Sequence, residues 1–212
     1  MTKGKPSQSR NRRRKTRRRA GLGADATLNL RTLRLLQRFY AEAIPANAIR
    51  NQDAEGILPT LRARLARLRL LTFVATNRRN FERRLQAATN RLISRLAADR
   101  WGAARKALNL FLRACTYDHH LRVHYGLRRI EPWLEVPLDS YVAGALKRTR
   151  EGRDLPKWGT LKALNEEDSR KYQEVAQAVA DRKGLARVHL DLYYWTKGRD
   201  RKKFRSENTR NA

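Results

Sequence analysis

The feature that most constrains the fold of this chain is the recurrence of apolar residues at helical spacing. The clearest example is a run of leucines three or four positions apart with arginines on the other face; the leucines are Leu58, Leu61, Leu65, Leu68 and Leu71. This spacing places the side chains along one face of an amphipathic helix. Only residues 188–195 lean towards a β-strand, and no pair of alternating segments indicates a sheet. The sequence therefore predicts an all-α fold.

The same periodicity predicts further helices, bounded by residues that begin or end them. Pro45 ends the first helix, Asn165 with Asp168 three positions later resembles a helix start, and Gly184 a helix stop. The predicted helices cover residues 33–40, 58–71, 81–99, 104–115, 139–148 and 166–182. Residues 100–103 are predicted to form a tight turn between two of them.

Basic segments bound the predicted helical region at both ends. Residues 1–24 contain no acid and hold a dense basic run that includes Arg12, Arg13, Arg14, Arg17, Arg18 and Arg19. Like charges this dense repel one another and bury no apolar surface, so we expect a disordered tail that contacts phosphates nonspecifically. A solubilising or localisation tail is the alternative. Residues 25–197 are predicted to form one domain, and residues 198–212 a second basic tail.

The charge balance predicts a polyanionic partner. The chain has 49 Lys and Arg residues against 20 Asp and Glu residues, a formal net charge of +29 at pH 7. Such a field concentrates polyanions, and each neutralised phosphate of nucleic acid releases counterions. We therefore expect nucleic acid as the partner, with an anionic membrane surface or an acidic protein as alternatives. No obligate protein partner is predicted, and a monomer is expected.

The sequence predicts neither a membrane segment nor a cofactor. No stretch approaches the roughly 20 apolar residues that span a bilayer, and the first residues lack the apolar segment of a secretory signal. We expect a soluble protein of the cytoplasm or nucleoid. Cys115 is the single cysteine, which agrees with a reducing compartment. It lies near His119, His120 and His124, but this spacing does not predict a metal site.

Lys106 is the first candidate for chemistry. It follows Gly102 near the start of a predicted helix, where backbone N–H groups and the helix dipole favour a phosphate. Arg100, Gly102 and Arg105 are accordingly predicted DNA contacts. The positive end of the dipole disfavours the charged lysine and makes a neutral, nucleophilic amine more accessible. The alternative is a lysine at a solvated helix start.

Asp139 is the second candidate. It follows a short apolar run that contains Pro137, and it precedes a predicted helix that carries Val142 and Leu146. An aspartate at this position caps a helix, which stabilises it by about 1 kcal/mol. A catalytic carboxylate at the same position would stabilise a developing sugar cation or orient an attacking water. The two roles are compatible, and spacing does not choose between them.

Three short motifs follow one another in the second half of the chain. Lys106 lies five positions before Phe-Leu-Arg (111–113), Asp139 follows an apolar run, and residues 190–195 fit Leu-Asp-Leu-Tyr-x-Trp. Their order resembles the helix-hairpin-helix superfamily of DNA glycosylases, and is most similar to the archaeal-type 8-oxoguanine glycosylases. The resemblance covers residues 100–197 and implies a helical bundle of that type.

The resemblance also implies a catalytic mechanism. The target nucleotide would leave the duplex and enter a pocket. Lys106 would attack C1′ of the sugar as a neutral amine, and Asp139 would stabilise the sugar cation and take up the lysine proton. The substrate would be damaged double-stranded DNA, with an oxidised purine as one option. Candidates for the base pocket are Trp101, Trp133 and Trp195, with Trp158 and Tyr193 as further options, although tryptophans in helical proteins mostly belong to the core.

One departure from the family pattern motivates an alternative function. The hairpin of these glycosylases carries two glycines in a Gly-x-Gly arrangement, whereas this chain offers Gly102 alone. Together with the heavy basic surface, this favours a non-enzymatic DNA- or RNA-binding protein on the same helical scaffold. The two hypotheses differ in whether a Schiff base forms with damaged DNA.

Overall fold

The structure is a computed structural model, and it describes residues 28–49, 56–94, 96 and 100–197. Eight α-helices and no strand occur in this part of the chain, so the all-α prediction is confirmed. The helices are α1 (Leu30–Glu42), α2 (Ile57–Leu65), α3 (Arg78–Ile93), α4 (Trp101–Tyr117), α5 (His119–His124), α6 (Ser140–Lys147), α7 (Glu166–Arg182) and α8 (190–197). Short 3-10 turns at Ala46–Ile49, Leu70–Phe73, Leu127–Arg129, Glu131–Trp133 and Arg187–His189 connect them.

The helices surround two adjoining hydrophobic cores. Helix α4 is central to the first core and contacts α1, α2, α3 and α5. Phe73, Phe81 and Phe111 are fully buried there. The second core joins α6, α7 and the start of α8, with Tyr172 as its largest fully buried side chain. The buried Arg187 links both cores, because its guanidinium donates to the carbonyl oxygens of Trp133 at 2.8 Å and of Gln173 at 3.3 Å.

Polar side chains begin five of the helices. The residues that accept a hydrogen bond from a backbone N–H of the first turn are Asn29, Asn77, Asp118, Asp139 and Asn165. Each satisfies an N–H that has no partner within its own helix. The predicted start of α7 is confirmed, because Asn165 Oδ1 accepts from Asp168 N at 2.8 Å. Its predicted stop is confirmed too, since Gly184 adopts a φ of 64° just beyond the helix.

The leucine run does not form one continuous helix. Helix α2 ends at Leu65, and a turn leads to a separate 3-10 segment. The buried amide of Gln37 on α1 explains the break, because its Nε2 donates to the carbonyl oxygens of Ala66 at 3.2 Å and Leu68 at 2.6 Å. The predicted helix over 58–71 was therefore too long. Leu71, at its far end, is 62% exposed.

Three other predicted segments differ from the structure. Helix α3 ends at Ile93, so the predicted helix over 81–99 extends too far at its end. Residues 101–103 form the first turn of α4 rather than a tight turn, so Lys106 lies in the second turn of its helix. Residues 188–195, which lean towards a strand by composition, are a 3-10 turn followed by α8. Leu190 and Asp191 are neighbours in the sequence, and both are buried. Leu190 packs in the second core, and Asp191 lies at the wall of a cleft. Tertiary packing here overrides the weak β propensity of the segment.

Several predictions fall outside the described residues. The tail over 1–24, with its arginines, and the segment 198–212 belong to this group. Among the residues that the structure describes, no helix has the length and apolar character required to cross a bilayer. The same part of the chain contains no group of three or more His, Cys, Asp or Glu residues placed to hold a metal ion, and Cys115 is buried.

Candidate active site

Lys106 lies on a helix that is buried almost from its first residue. Most of the 17 residues of α4 are buried, and Lys106 itself is 7% exposed. Gly102 allows the chain to cover this end of the helix closely. A Cβ atom at residue 102 would lie 2.1 Å from the carbonyl oxygen of Leu161 and 2.9 Å from Leu164 Cβ. Residues 161–164 therefore lie directly on α4, one turn before the lysine.

Asp139 makes two contacts with the two oxygens of its carboxylate. Oδ1 accepts a hydrogen bond from Val142 N at 2.9 Å and caps α6, as the sequence predicts. Oδ2 accepts from Lys106 Nζ at 3.2 Å. The cap fixes the carboxylate in position, and this position brings it against the lysine amine. The structure thus brings the two predicted catalytic residues together. The side chains of Lys106 and Asp139 are 8% and 31% exposed, so the carboxylate is the more accessible of the two.

The lysine and the aspartate line a cleft of about 760 Å³. This volume is within the range of pockets that hold small organic ligands. Five segments of the chain meet around it: the turn at residues 45–48, helix α4, residues 137–141, residues 158–162 and helix α8. The site is therefore assembled by the tertiary fold rather than by one local motif.

A second ion pair lies in the same cleft. The guanidinium of Arg113, two turns beyond Lys106 on α4, donates to the carboxylate of Asp191 on α8. Burial raises the pKa of Asp191 above its ordinary value, the paired Arg113 opposes this, and the Asp139 carboxylate raises that pKa further. Lys106 also lowers the pKa of Asp191. The two ion pairs consequently form one electrostatic cluster.

The structure separates the tryptophans proposed for the base pocket. Trp195 lines the cleft, is 55% exposed, and its ring lies 6.4 Å from that of Tyr141. Trp158 lines the cleft from the opposite segment and meets Tyr172 edge-on at 5.4 Å. Trp133 packs beside Phe81 in the first core, at 6.3 Å between ring centroids. It is not among the residues that line the cleft.

Trp101 also lies away from the cleft lining. It packs against the second core, and the guanidinium carbon of Arg105 lies 4.9 Å from its ring centroid. The two tryptophan rings that the structure places at the cleft are therefore those of Trp158 and Trp195. Trp101 and Trp133 have packing roles in the described structure.

The predicted DNA contacts near the start of α4 lie mostly inside the protein. Arg105 is 7% exposed and donates to Thr89 Oγ1 at 2.9 Å and Gln86 Oε1 at 2.8 Å. Its Nε lies 3.3 Å from a Glu135 carboxylate oxygen. Gly102 is buried beneath residues 161–164, and Arg100 is half-buried at the start of the helix. A contact of these residues with DNA stays a prediction.

Four residues of the cleft had no role predicted from the sequence. Arg113, Tyr141, Lys162 and Asp191 line it together with the predicted pair. Arg113 and Asp191 each belong to one of the short motifs on which the family resemblance depends, and this was the available signal. Tyr141 belongs to the apolar pattern that follows Asp139 in the same resemblance. Lys162 carried no signal, because its position depends on how residues 158–162 fold over α4.

The chain matches no protein-family model, no curated protein and no solved structure.

Proposed function

We propose that this protein is a DNA glycosylase with AP lyase activity, which acts on a damaged base in double-stranded DNA through Lys106 and Asp139. An oxidised purine is one candidate for that base. The proposal extends the family resemblance of residues 100–197 to the site geometry. The observation that carries it is the 3.2 Å contact between Lys106 Nζ and Asp139 Oδ2 inside a cleft.

This contact is what amine catalysis at a sugar carbon requires. A lysine becomes a nucleophile only after it loses a proton, and a carboxylate at hydrogen-bond distance can accept that proton. Asp139 is held in place by its cap to Val142 N, so its second oxygen remains directed at the amine. Because Lys106 and Asp139 both line the cleft, a substrate that enters the cleft reaches both groups.

The reaction then follows in balanced steps. The Lys106 proton passes to Asp139, and the amine forms a bond to C1′ as the bond from C1′ to the base breaks. The electron pair of that bond leaves with the base, which takes the proton held by Asp139 and so returns Asp139 to its carboxylate form. The second nitrogen proton passes to the ring oxygen O4′ as the C1′–O4′ bond breaks, which leaves a protonated Schiff base between C1′ and the lysine nitrogen. Loss of a proton from C2′ then expels the 3′ phosphate and nicks the strand. Asp139 stabilises the positive charge that develops at the sugar.

The cleft also suits a base that has left the helical stack. Extrusion costs a few kcal/mol and is easiest for damaged or mispaired bases. Trp158 and Trp195 offer ring surfaces in the cleft, and stacking on an aromatic ring contributes about 1–3 kcal/mol per base. Lys162 adds positive charge to the same lining, where the charge of Arg113 is balanced by Asp191. These features support a nucleotide as the occupant.

One observation favours the non-enzymatic alternative. The contact between Lys106 and Asp139 also ties α4 to the start of α6, which is a sufficient structural role for an ion pair. A DNA- or RNA-binding protein would retain such a pair without using it for catalysis. The two functions differ in whether any duplex is cut.

The test is a strand-nicking and base-release assay on duplexes that carry 8-oxoguanine, uracil or an abasic site. We expect at least one duplex to be cut by the native protein and none by Lys106→Ala or Asp139→Asn. Lys171→Ala is the matched control, because Lys171 is an exposed lysine on α7 that pairs only with neighbours on its own helix. If every duplex binds and none is cut, or if Lys106→Ala cuts as well as Lys171→Ala, the glycosylase proposal fails.

A further inference from the structure

A second strongly basic surface lies apart from the cleft. Six arginines of α1, α2 and the turn that follows α2 line three neighbouring depressions; they are Arg31, Arg34, Arg38, Arg64, Arg67 and Arg69. We call these six residues the arginine band. None of them lines the cleft that holds Lys106 and Asp139.

The band is continuous because Arg67 belongs to all three depressions. With Arg34 and Arg38 it lines the one between α1 and α2, of about 460 Å³. With Arg69 it lines a second of about 690 Å³ beside Leu71 and a third of about 590 Å³ between α2 and α3. The arginines of the two helices therefore face common grooves rather than separate stretches of solvent.

The positive charge of the band is not neutralised within the described structure. In residues 28–49, 56–94 and 100–197, no carboxylate forms an ion pair with any of the six. Among the described residues that line the three depressions, Glu42 is the single acid. Arginines elsewhere do have partners, as Arg182 has Glu151 at 2.7 Å and Arg122 has Glu131 at 3.1 Å. Unpaired like charges gathered at one surface repel one another unless an anion binds between them.

The chemistry of the lining indicates which anion fits. Arginine forks bind phosphate oxygens in a bidentate manner, which favours phosphate groups. Single-stranded nucleic acid binds largely by stacking its bases on aromatic rings. Tyr125 is the single aromatic residue among the described residues of the lining. Arg31 and Arg38 are about 10 Å apart along α1 at 1.5 Å per residue, and about 10 Å of duplex axis carries about three phosphates on each strand.

We propose that the arginine band binds the phosphodiester backbone of a nucleic-acid duplex, at a site distinct from the Lys106–Asp139 cleft. The band contacts phosphates and reads no bases, so its binding is independent of sequence and of damage. The proposal does not depend on catalysis at Lys106. It also assigns nonspecific binding to the folded domain, in addition to any contribution from the basic tails.

The test compares two triple variants of the full chain that remove equal charge. The band variant is Arg34→Gln/Arg67→Gln/Arg69→Gln. The matched control is Arg148→Gln/Arg150→Gln/Arg153→Gln, at the end of α6 and in the turn that follows it. The six arginines substituted in the two variants are all exposed. Both variants keep the tails, and circular dichroism checks that both keep their helices. The measurement is the affinity for an undamaged DNA duplex across a salt series, by fluorescence anisotropy.

We expect the band variant to bind the duplex at least about tenfold more weakly than the native chain at moderate salt. The slope of log affinity against log salt should become shallower by up to about 3, since each lost phosphate contact contributes about 0.9. The control should change much less in both quantities. Equal losses in the two variants overturn the proposal, because the band then contributes no more than any other basic surface.

Three further ligands test the occupant itself. An RNA duplex shows which nucleic acid the band binds. If the band variant loses affinity for the DNA duplex, the RNA duplex or both, the result supports a duplex site and identifies its ligand. A greater loss for single-stranded DNA than for duplex overturns the proposal. So does a loss confined to polyglutamate, because the band is then a surface for acidic proteins.

Discussion

Lys106 Nζ lies 3.2 Å from Asp139 Oδ2, although 33 positions separate the two residues in the sequence. Neither residue reaches this position through a local motif. Lys106 is placed by the burial of α4 in the first core, and Asp139 by the cap at the start of α6. The meeting of these two elements forms the candidate active site.

Substitutions at Asp139 separate its structural role from its catalytic role. Asn caps a helix about as well as Asp does, so Asp139→Asn keeps the hydrogen bond from Val142 N, whereas Asp139→Ala removes it. We expect urea unfolding to show Asp139→Ala less stable than Asp139→Asn by about 1 kcal/mol. Both variants lack the carboxylate beside Lys106, so both should stop nicking. If Asp139→Asn nicks DNA at the native rate, Asp139 caps helix α6 and has no catalytic role.

Gly102 is required for the close contact between α4 and residues 161–164. A Cβ at residue 102 would collide with the backbone oxygen of Leu161, which cannot move aside cheaply. We expect Gly102→Ala to lower the free energy of unfolding by about 1–3 kcal/mol. Gly144→Ala on α6 is the control, because its Cβ would meet only the flexible end of Arg148 at 3.4 Å. That variant should be as stable as the native protein or slightly more so. Equal destabilisation of both variants in thermal unfolding would contradict the packing argument.

Trp195 and Trp133 should differ in what they contribute. Trp195 is largely exposed at the cleft, so Trp195→Ala should change the unfolding free energy by less than about 0.5 kcal/mol. It should also weaken binding of a damaged duplex by about tenfold, through the loss of base stacking. Trp133→Ala should cost about 2–3 kcal/mol of stability, because the ring packs beside Phe81. Chemical unfolding measures the stability of each variant, and fluorescence anisotropy measures its affinity for the damaged duplex. A Trp133→Ala variant that binds the duplex weakly but keeps its stability would contradict the packing role of Trp133.

Tyr193 should ionise at lower pH than an ordinary tyrosine. Hydrogen bonds from Lys183, at 2.9 Å, and from Lys197 lower the pKa of Tyr193 to about 8. The pKa of Tyr193 is lower in the folded protein than in the unfolded chain, where it is near 10. The interaction therefore contributes fully to the free energy of unfolding above about pH 10, and this contribution is lost as pH falls through about 8. Ultraviolet titration should show one tyrosinate forming near pH 8, and this step should vanish in Tyr193→Phe.

Tyr117 supplies the internal comparison for this titration. Burial raises the pKa of Tyr117 to about 12, so its absorbance should change only in strong alkali. Lys183→Gln should move the first tyrosinate step upwards and leave the step of Tyr117 in place. A titration in which no tyrosine ionises below pH 9 would contradict the assigned contacts of Tyr193.

Helical class and helix starts were predictable because they depend on local signals. The periodicity of the leucines and the capping residues Asp139 and Asn165 act over three or four positions. The end of α2 was not predictable, because Gln37 on another helix takes the carbonyl oxygens that would continue it. The helix over 190–197 was not predictable from residues 188–195, which lean towards a strand by composition, since burial of Leu190 and Asp191 decides their conformation.

The candidate site was predictable in part. The sequence predicted Lys106, Asp139 and Trp195, which the structure brings to one cleft. It did not predict that Gly102 and Arg105 lie inside the protein, because their burial depends on how residues 161–164 and Glu135 approach α4. The arginine band was visible only as a polar helix face. Its continuity arises from the packing of α1 against α2.

The most direct test of the central claim is to trap the covalent intermediate and identify the attached residue. The full chain is incubated with a duplex that carries an abasic site or 8-oxoguanine in the presence of sodium borohydride, and the cross-linked peptide is sequenced by mass spectrometry. We expect a reduced Schiff base at Lys106, absent in Lys106→Ala and present in Lys171→Ala. Attachment at another lysine, or no attachment to any duplex that the protein binds, would contradict it.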